Sequence, residues 1–347
     1  MKTTHLSRTA PTLIVLASLA ACGGYPAEAV DPERSAVTCE GTGGSNGGAT
    51  TTGGDMVDAA TSGGGGQAQR DARAGTPFVP DPPYMAPAHQ GNLIHVQNKC
   101  SFPLWIHAVG GGAVLSPDDL KLNTGDMKDY TVNDWPFAWV SAYVDGAQKT
   151  LIDRVELNLF PARLVSYKLA YIDGIGLPMD VQAIGQGADC KRVGCYATQS
   201  QIMTECPEGL LSGKRCLSAG NYCGDPANAS KPFCHALDAS IAKCVASVPG
   251  CQDAADATTA NAYRCDKAFG DKAELCAALN RGTIDNPTST DSASFYRNQP
   301  HNGYAAWIHD ICPGLYAFPY DDARTTEDAF HACSNSTQLN ITFCPAG

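Results

Sequence analysis

The chain has 347 residues, 44% of them hydrophobic, and carries 24 basic against 35 acidic side chains, a net charge of −11. An acidic excess of this size lacks the basic stripes that hold a phosphate backbone, so no nucleic-acid partner is expected. It suits a cationic partner or an uncharged polysaccharide, and equally the plain solubility of an exported domain.

At the N-terminus Lys2 and Arg8 precede an apolar run, Leu13 to Ala21, that leads directly into Cys22. A basic stretch followed by a short apolar core is the anatomy of a secretory signal. The run is too short for a membrane-spanning helix, which needs ~20 apolar residues. Leu19-Ala20-Ala21-Cys22 is similar to a bacterial lipobox, which implies cleavage after residue 21 and diacylation of the Cys22 thiol. Gly23 and Gly24 follow without an aspartate, pointing to an outer-membrane or cell-surface lipoprotein. Loss of residues 1–21 leaves 22 basic against 35 acidic residues, a balance of −13.

Between Gly41 and Gly66 eleven of the 26 residues are glycine, with Met56 and Val57 the only large apolar side chains. Such a stretch buries too little surface to offset its ordering entropy. Residues 22–91 are therefore read as a lipidated cysteine plus a flexible tether, Gly/Ser/Thr-rich at first and proline-rich towards its end. The glycine runs are not a phosphate loop, because no strand precedes them and no Lys-Ser/Thr pair follows.

The folded domain is expected over 92–347. Leu93–Val96, Leu104–Ala108, Phe137–Val144, Arg154–Phe160 and Leu164–Ile172 are short segments rich in β-branched and aromatic residues, separated by turn signals such as Asn123-Thr124-Gly125 and Asp145-Gly146. In Arg154–Phe160 the alternation puts Val155, Leu157 and Leu159 on one face and Arg154, Glu156 and Asn158 on the other. From Cys190 onward cysteines crowd in, together with helix-compatible stretches at Leu237–Val248 and Asp271–Leu279. The fold class is all-β dominated, a sandwich or barrel followed by a cross-linked region with short helices.

Sixteen cysteines are present. With Cys22 lipidated and Cys39 in the tether, fourteen remain between Cys100 and Cys344, an even count that reads as a disulfide framework in an exported domain. No CxxC pair exists, so no metal site of the zinc-finger or ribbon type is expected, and no cofactor.

Several blocks together resemble the thaumatin-like proteins, the family of thaumatin, osmotin and pathogenesis-related proteins. IHVQNKCSFPLWIHA is similar to that family's first strand, with Asn98, Cys100 and Trp105. RVELNL and YKLAYIDGIGLPMDV are similar to its paired strands and following turn, with Asp173, Gly174, Leu177, Pro178 and Met179. DCKRVGCYATQSQIMTECPEGLLSGKRC, YAAWIHDICPGLYAFPYDDA and LNITFCP continue the match to the end of the chain. The resemblance implies a flattened β-sandwich (about 92–189 with a C-terminal strand at about 338–345) and a disulfide-rich second lobe (about 190–335) containing short helices. It implies the bridges Cys100–Cys344, Cys190–Cys333, Cys195–Cys312 and Cys206–Cys216. For Cys223, Cys234, Cys244, Cys251, Cys265 and Cys276, pairing between sequence neighbours is a guess.

The family's function is placed in a cleft between the two lobes, lined by an arginine and carboxylates and associated with β-1,3-glucan binding or hydrolysis and antifungal action. Glu156 and Asp173 match two of those carboxylates, a pair of the kind that cleaves a glycosidic bond, with Glu156 as the expected acid. Their alternatives are a solvent-facing strand residue and a turn-stabilising aspartate. Tyr320, Asp321 and Asp322 match the late acidic segment and are candidate ligand contacts or a capped surface turn. Two positions depart from the pattern: Lys168 replaces a strand acid, and Ser141 stands where an arginine is expected. Lys168 is free to pair with Glu156 or Asp173 instead. Tyr304, Trp307, Tyr316, Phe318 and Tyr320 either stack on sugars or pack against disulfides. No G-x-S-x-G elbow presents a nucleophilic serine. The favoured reading is a monomeric surface module that binds a polysaccharide such as β-1,3-glucan, ahead of a weak endo-β-1,3-glucanase and of an interaction lipoprotein without a carbohydrate ligand.

Overall fold

The computed structural model describes residues 79–346, apart from 111–112, 145–152, 161–163, 186–189, 253–257, 267–268, 290, 297–302 and 322–329. The signal segment, Cys22, Cys39, the glycine-rich tether and Asp322 lie outside the described residues.

The protein is β-rich, with three sheets among the described residues. Five strands form the first: β1 (Asn92–Asn98), β5 (Met127–Val132), β10 (Met179–Ile184), β11 (Arg192–Gly194) and β15 (Gln338–Phe343), in the order β11-β10-β15-β1-β5. The second contains β2 (Leu104–Gly110), β3 (Ala113–Val114), β4 (Leu120–Leu122), β6 (Trp135–Tyr143), β7 (Arg154–Phe160), β8 (Leu164–Ala170) and β14 (His331–Ser334), in the order β14-β8-β7-β6-β2-β3 with β4 also on β2. A small third sheet joins β9 (Gly174–Ile175), β12 (Leu211–Ser212) and β13 (Arg215–Leu217).

Alternation decides which face goes inward. Val155, Leu157 and Leu159 of β7 are buried in one core cluster with Ile94, Val181 and Ile341 of the five-stranded sheet, whereas Arg154, Glu156 and Asn158 lie on the opposite face. Strand β1, paired with β15 in parallel and with β5, is buried on both faces, because Ile94 and Val96 face the core while His95 on the opposite face lies under the Tyr84 ring. Its end is held by Cys100–Cys344, which ties the two ends of the domain across 244 residues. In the chain-entropy picture, closing a loop of that length is worth about 5 kcal/mol. Strands β11 and β14 come from the cysteine-rich stretch yet extend the two large sheets, and Cys190–Cys333 links them.

The remaining residues form α1 (Gln199–Glu205), α2 (Ala219–Gly224), α3 (Pro232–Ser247), α4 (Thr259–Tyr263), α5 (Ala273–Arg281) and α6 (Gly303–Ile311). Helices this short are marginal alone. Local caps help, as where Thr198 and Gln201 form a reciprocal capping box on α1. Disulfides supply the rest: Cys195–Cys312 and Cys206–Cys216 form as the resemblance implies, and the other six cysteines pair as neighbours, Cys223–Cys234, Cys244–Cys251 and Cys265–Cys276. The seven disulfides among the described residues mark an exported protein. Among the described residues no helix is long and apolar enough to cross a membrane.

Residues 79–90, the proline-rich end of the expected tether, lie as a strap against the five-stranded sheet. The Tyr84 carbonyl accepts from Gln338 Nε2 and Asn340 Nδ2, both at 2.8 Å, and the Tyr84 ring stacks on His95 at 3.9 Å. Lys99 and Asp81 form an ion pair beside it.

Candidate functional site

The outward face of the seven-stranded sheet carries a cluster of charge at its centre. Antiparallel register sets Glu156 of β7 opposite Trp139 of β6 on one side and Lys168 of β8 on the other. Directly opposed side chains on one face meet, and Lys168 Nζ donates to Glu156 Oε2 at 2.9 Å. Arg154, two residues earlier on the same face, donates through Nε to Glu156 Oε1 at 3.0 Å. Its Nη2 reaches Asp173 Oδ2 at 3.1 Å. One guanidinium thus bridges the two carboxylates singled out by the sequence, each about a quarter exposed.

Asp173 lies just beyond the end of β8, in the tight turn that opens β9. From the helical lobe, Asn221 of α2 donates through Nδ2 to both the Asp173 carbonyl and its Oδ1, each at 2.9 Å, and Arg264 in turn donates to Asn221 Oδ1. The Asp173 carbonyl also accepts the N–H of Ser218, the residue that caps α2. Tyr316 joins the sheet through a parallel bridge to Ala170 and offers its ring to Lys168 Nζ, 4.4 Å from the centroid. The site is therefore assembled by both parts of the fold, with the strand pair β7–β8 supplying Glu156, Arg154 and Lys168.

Ser141 is buried opposite Arg154 in the β6–β7 ladder and donates its hydroxyl to the Asp153 carbonyl. The residue paired with Ser141 across the ladder is itself an arginine, Arg154. Lys168 pairs with Glu156, one of the two partners open to it.

Asp153 was not marked by any motif. Its carboxylate is buried and accepts the Gly176 N–H at 2.7 Å, and a Cβ at 176 would meet Arg215 Cγ first, at 2.9 Å. Burial pushes this carboxyl up to about 7, against the opposing backbone donors of Gly176 and Leu177 and the charge of Arg215. It borders a recess of about 520 Å³ whose walls include Trp105, Tyr143, Lys214 and Arg215.

Two residues of the late acidic segment, Tyr320 and Asp321, are among the described residues. Asp321 has a side chain with 0% exposure, and it accepts the Ala317 N–H at 2.9 Å and pairs with His309 at 2.8 Å. Tyr320 donates its hydroxyl to the Gly270 carbonyl. These contacts stabilise the lobe internally. Tyr304, Tyr316 and Phe318 are buried. Among the described residues, His107, Asp118 and Asp119 could offer three ligand atoms to a cation; His107 Nδ1 and Asp118 Oδ1 lie 2.5 Å apart and bond to each other.

The family glycoside hydrolase 64, described as β-1,3-glucanase, matches residues 234–342. A thaumatin-like protein 1 from Castanea sativa is 26% identical over 192 residues, 55% of this chain and 54% of that protein. The chain spans about half the length of that curated relative. A β-1,3-glucanase domain of family 64 from Clostridium beijerinckii superposes with a TM-score of 0.56 at 14% identity, covering 75% of this chain and all of that one. The chain is similar in sequence to thaumatin-like proteins and in fold to β-1,3-glucanase domains of family 64. A laminaripentaose-producing β-1,3-glucanase, solved in complex with laminaritetraose, matches this chain with a TM-score of 0.53 at 14% identity over 74% of it and 99% of that chain.

Proposed function

We propose that this protein is a thaumatin-like, two-lobed domain that holds a β-1,3-glucan chain in the cleft around Glu156, Arg154, Lys168 and Asp173. The observation that carries the reading is the Arg154 bridge: it brings together, from two elements, the two carboxylates that the resemblance marks. Alternating cations and carboxylates on a partly exposed sheet face offer a row of charged hydrogen-bond partners to sugar hydroxyls. The family match and the laminaritetraose complex of a structural neighbour support β-1,3-glucan as the polysaccharide.

Hydrolysis is the second reading, and the same bridge favours it. Contact with one guanidinium keeps the two carboxyls inside the ~9.5 Å limit within which such a pair works on a glycosidic bond. Lys168 opposes it, because both Glu156 oxygens are engaged by cations and proton donation needs Lys168 to swing away. Sedimentation with insoluble laminarin, followed by assay of reducing ends, separates the readings. Retention without new ends leaves a binding module, retention with new ends makes an enzyme, and no retention contradicts both.

Diacylation at Cys22, an outer-membrane or surface address, a monomeric domain and antifungal action belong to the same proposal. The first two rest on the N-terminal sequence pattern and the last on the thaumatin-like resemblance.

A further inference from the structure

Strand β6 breaks register with β7 between Trp135 and Ala138, so that Pro136 and Phe137 together stand opposite the single residue Asn158. Two residues facing one is a β-bulge, a device that re-aims a side chain and is common beside active sites. Asn158 shares its face with Glu156, so the bulge lies on the site side of the sheet, ~7 Å from Glu156 along β7 at strand rise. Phe137 adopts a left-handed φ of +51°, which glycine or asparagine accepts and phenylalanine resists. The residue is nonetheless 80% exposed, so burial does not offset the strain. The conformation is held by the Phe137 N–H, which donates to Asn158 Oδ1 at 2.6 Å, while Asn158 Nδ2 donates to Ser166 Oγ at 3.2 Å. The next aromatic along the strand, Trp139, sits beside Glu156 in the ladder and tilts against His107 at 5.2 Å.

A strained, exposed phenylalanine fixed by a side-chain network at the edge of a polysaccharide cleft has one chemistry to offer, a flat apolar surface for the C–H face of a pyranose ring. We propose that Phe137 is a stacking subsite for the β-1,3-glucan chain, extending the cleft beyond Glu156 through Trp139. This rests on the β-1,3-glucan reading above.

The test compares the wild type, Phe137→Gly and Phe137→Trp by laminarin binding isotherm and by thermal melt. Glycine relieves the left-handed strain while removing the ring, so Phe137→Gly should melt at or above the wild-type temperature yet bind laminarin about tenfold more weakly. Phe137→Trp should bind as well as the wild type. Wild-type affinity in Phe137→Gly, with the wild type binding, overturns the subsite and leaves the β-1,3-glucan reading standing. A lower melting temperature for Phe137→Gly shows the ring packing in the fold and overturns it too. A wild type that does not bind laminarin overturns both.

Discussion

Arg154 organises the site because its planar fork satisfies two carboxylates at once, a task a lysine ammonium, as a point charge, performs poorly. Its side chain is partly exposed, so the ion pairs are a device of position more than of stability. The buried Asp153 beside it is the opposite case. Burial lifts its carboxyl from 3.8 to about 7, so between those values the folded protein keeps a proton that the unfolded chain has released. Its contribution is therefore whole below about pH 4 and lost as the pH climbs to about 7. Asp153→Asn, which keeps an acceptor for the Gly176 N–H, should flatten this slope: thermal melts from pH 4 to 7 should show the wild type falling relative to the variant, and parallel curves would contradict the assignment. At this scale Glu156 and Asp173 are legible because a quoted motif surrounds each. The place of Arg154 between them is not, since it depends on contacts to Glu156 and Asp173 from two elements that no single strand displays.

Among the elements, β7 is legible to the residue because strict alternation reports one buried and one open face. Strand β5 is not: its sequence MKDYTV buries Tyr130 alone, as an edge strand can, and gives no apolar run. The bulge at Pro136 and Phe137 is invisible for a related reason, since register belongs to the pair of strands. The strap at 79–90 shares the proline-rich composition of a linker, and only its partners Gln338, Asn340 and His95 show that it docks. Two amide hydrogen bonds and a ring stack are worth roughly 2 kcal/mol or more. A protein beginning at residue 87 should therefore melt about 5 °C or more below one beginning at residue 79; equal melting temperatures would show that the strap contributes nothing.

For the whole molecule, cysteine count and spacing foretell a cross-linked exported domain, and the resemblance supplies four of the seven pairings. The other three follow chain proximity, at separations of 7 to 11 residues. How Asn221 of the lobe comes to brace Asp173, 48 residues away, is a property of the assembled fold that local patterns do not carry. Lipid anchoring predicts that Cys22→Ser moves the protein from the membrane to the soluble fraction of the producing cell; an unchanged distribution would remove the anchor. In the proposed function Glu156 and Asp173 together receive β-1,3-glucan. Laminarin binding by the double variant Glu156→Gln/Asp173→Asn, set against the wild type, measures this directly. The account predicts that the wild type binds and the folded variant loses at least about tenfold in affinity, whereas equal binding by the two proteins would contradict it.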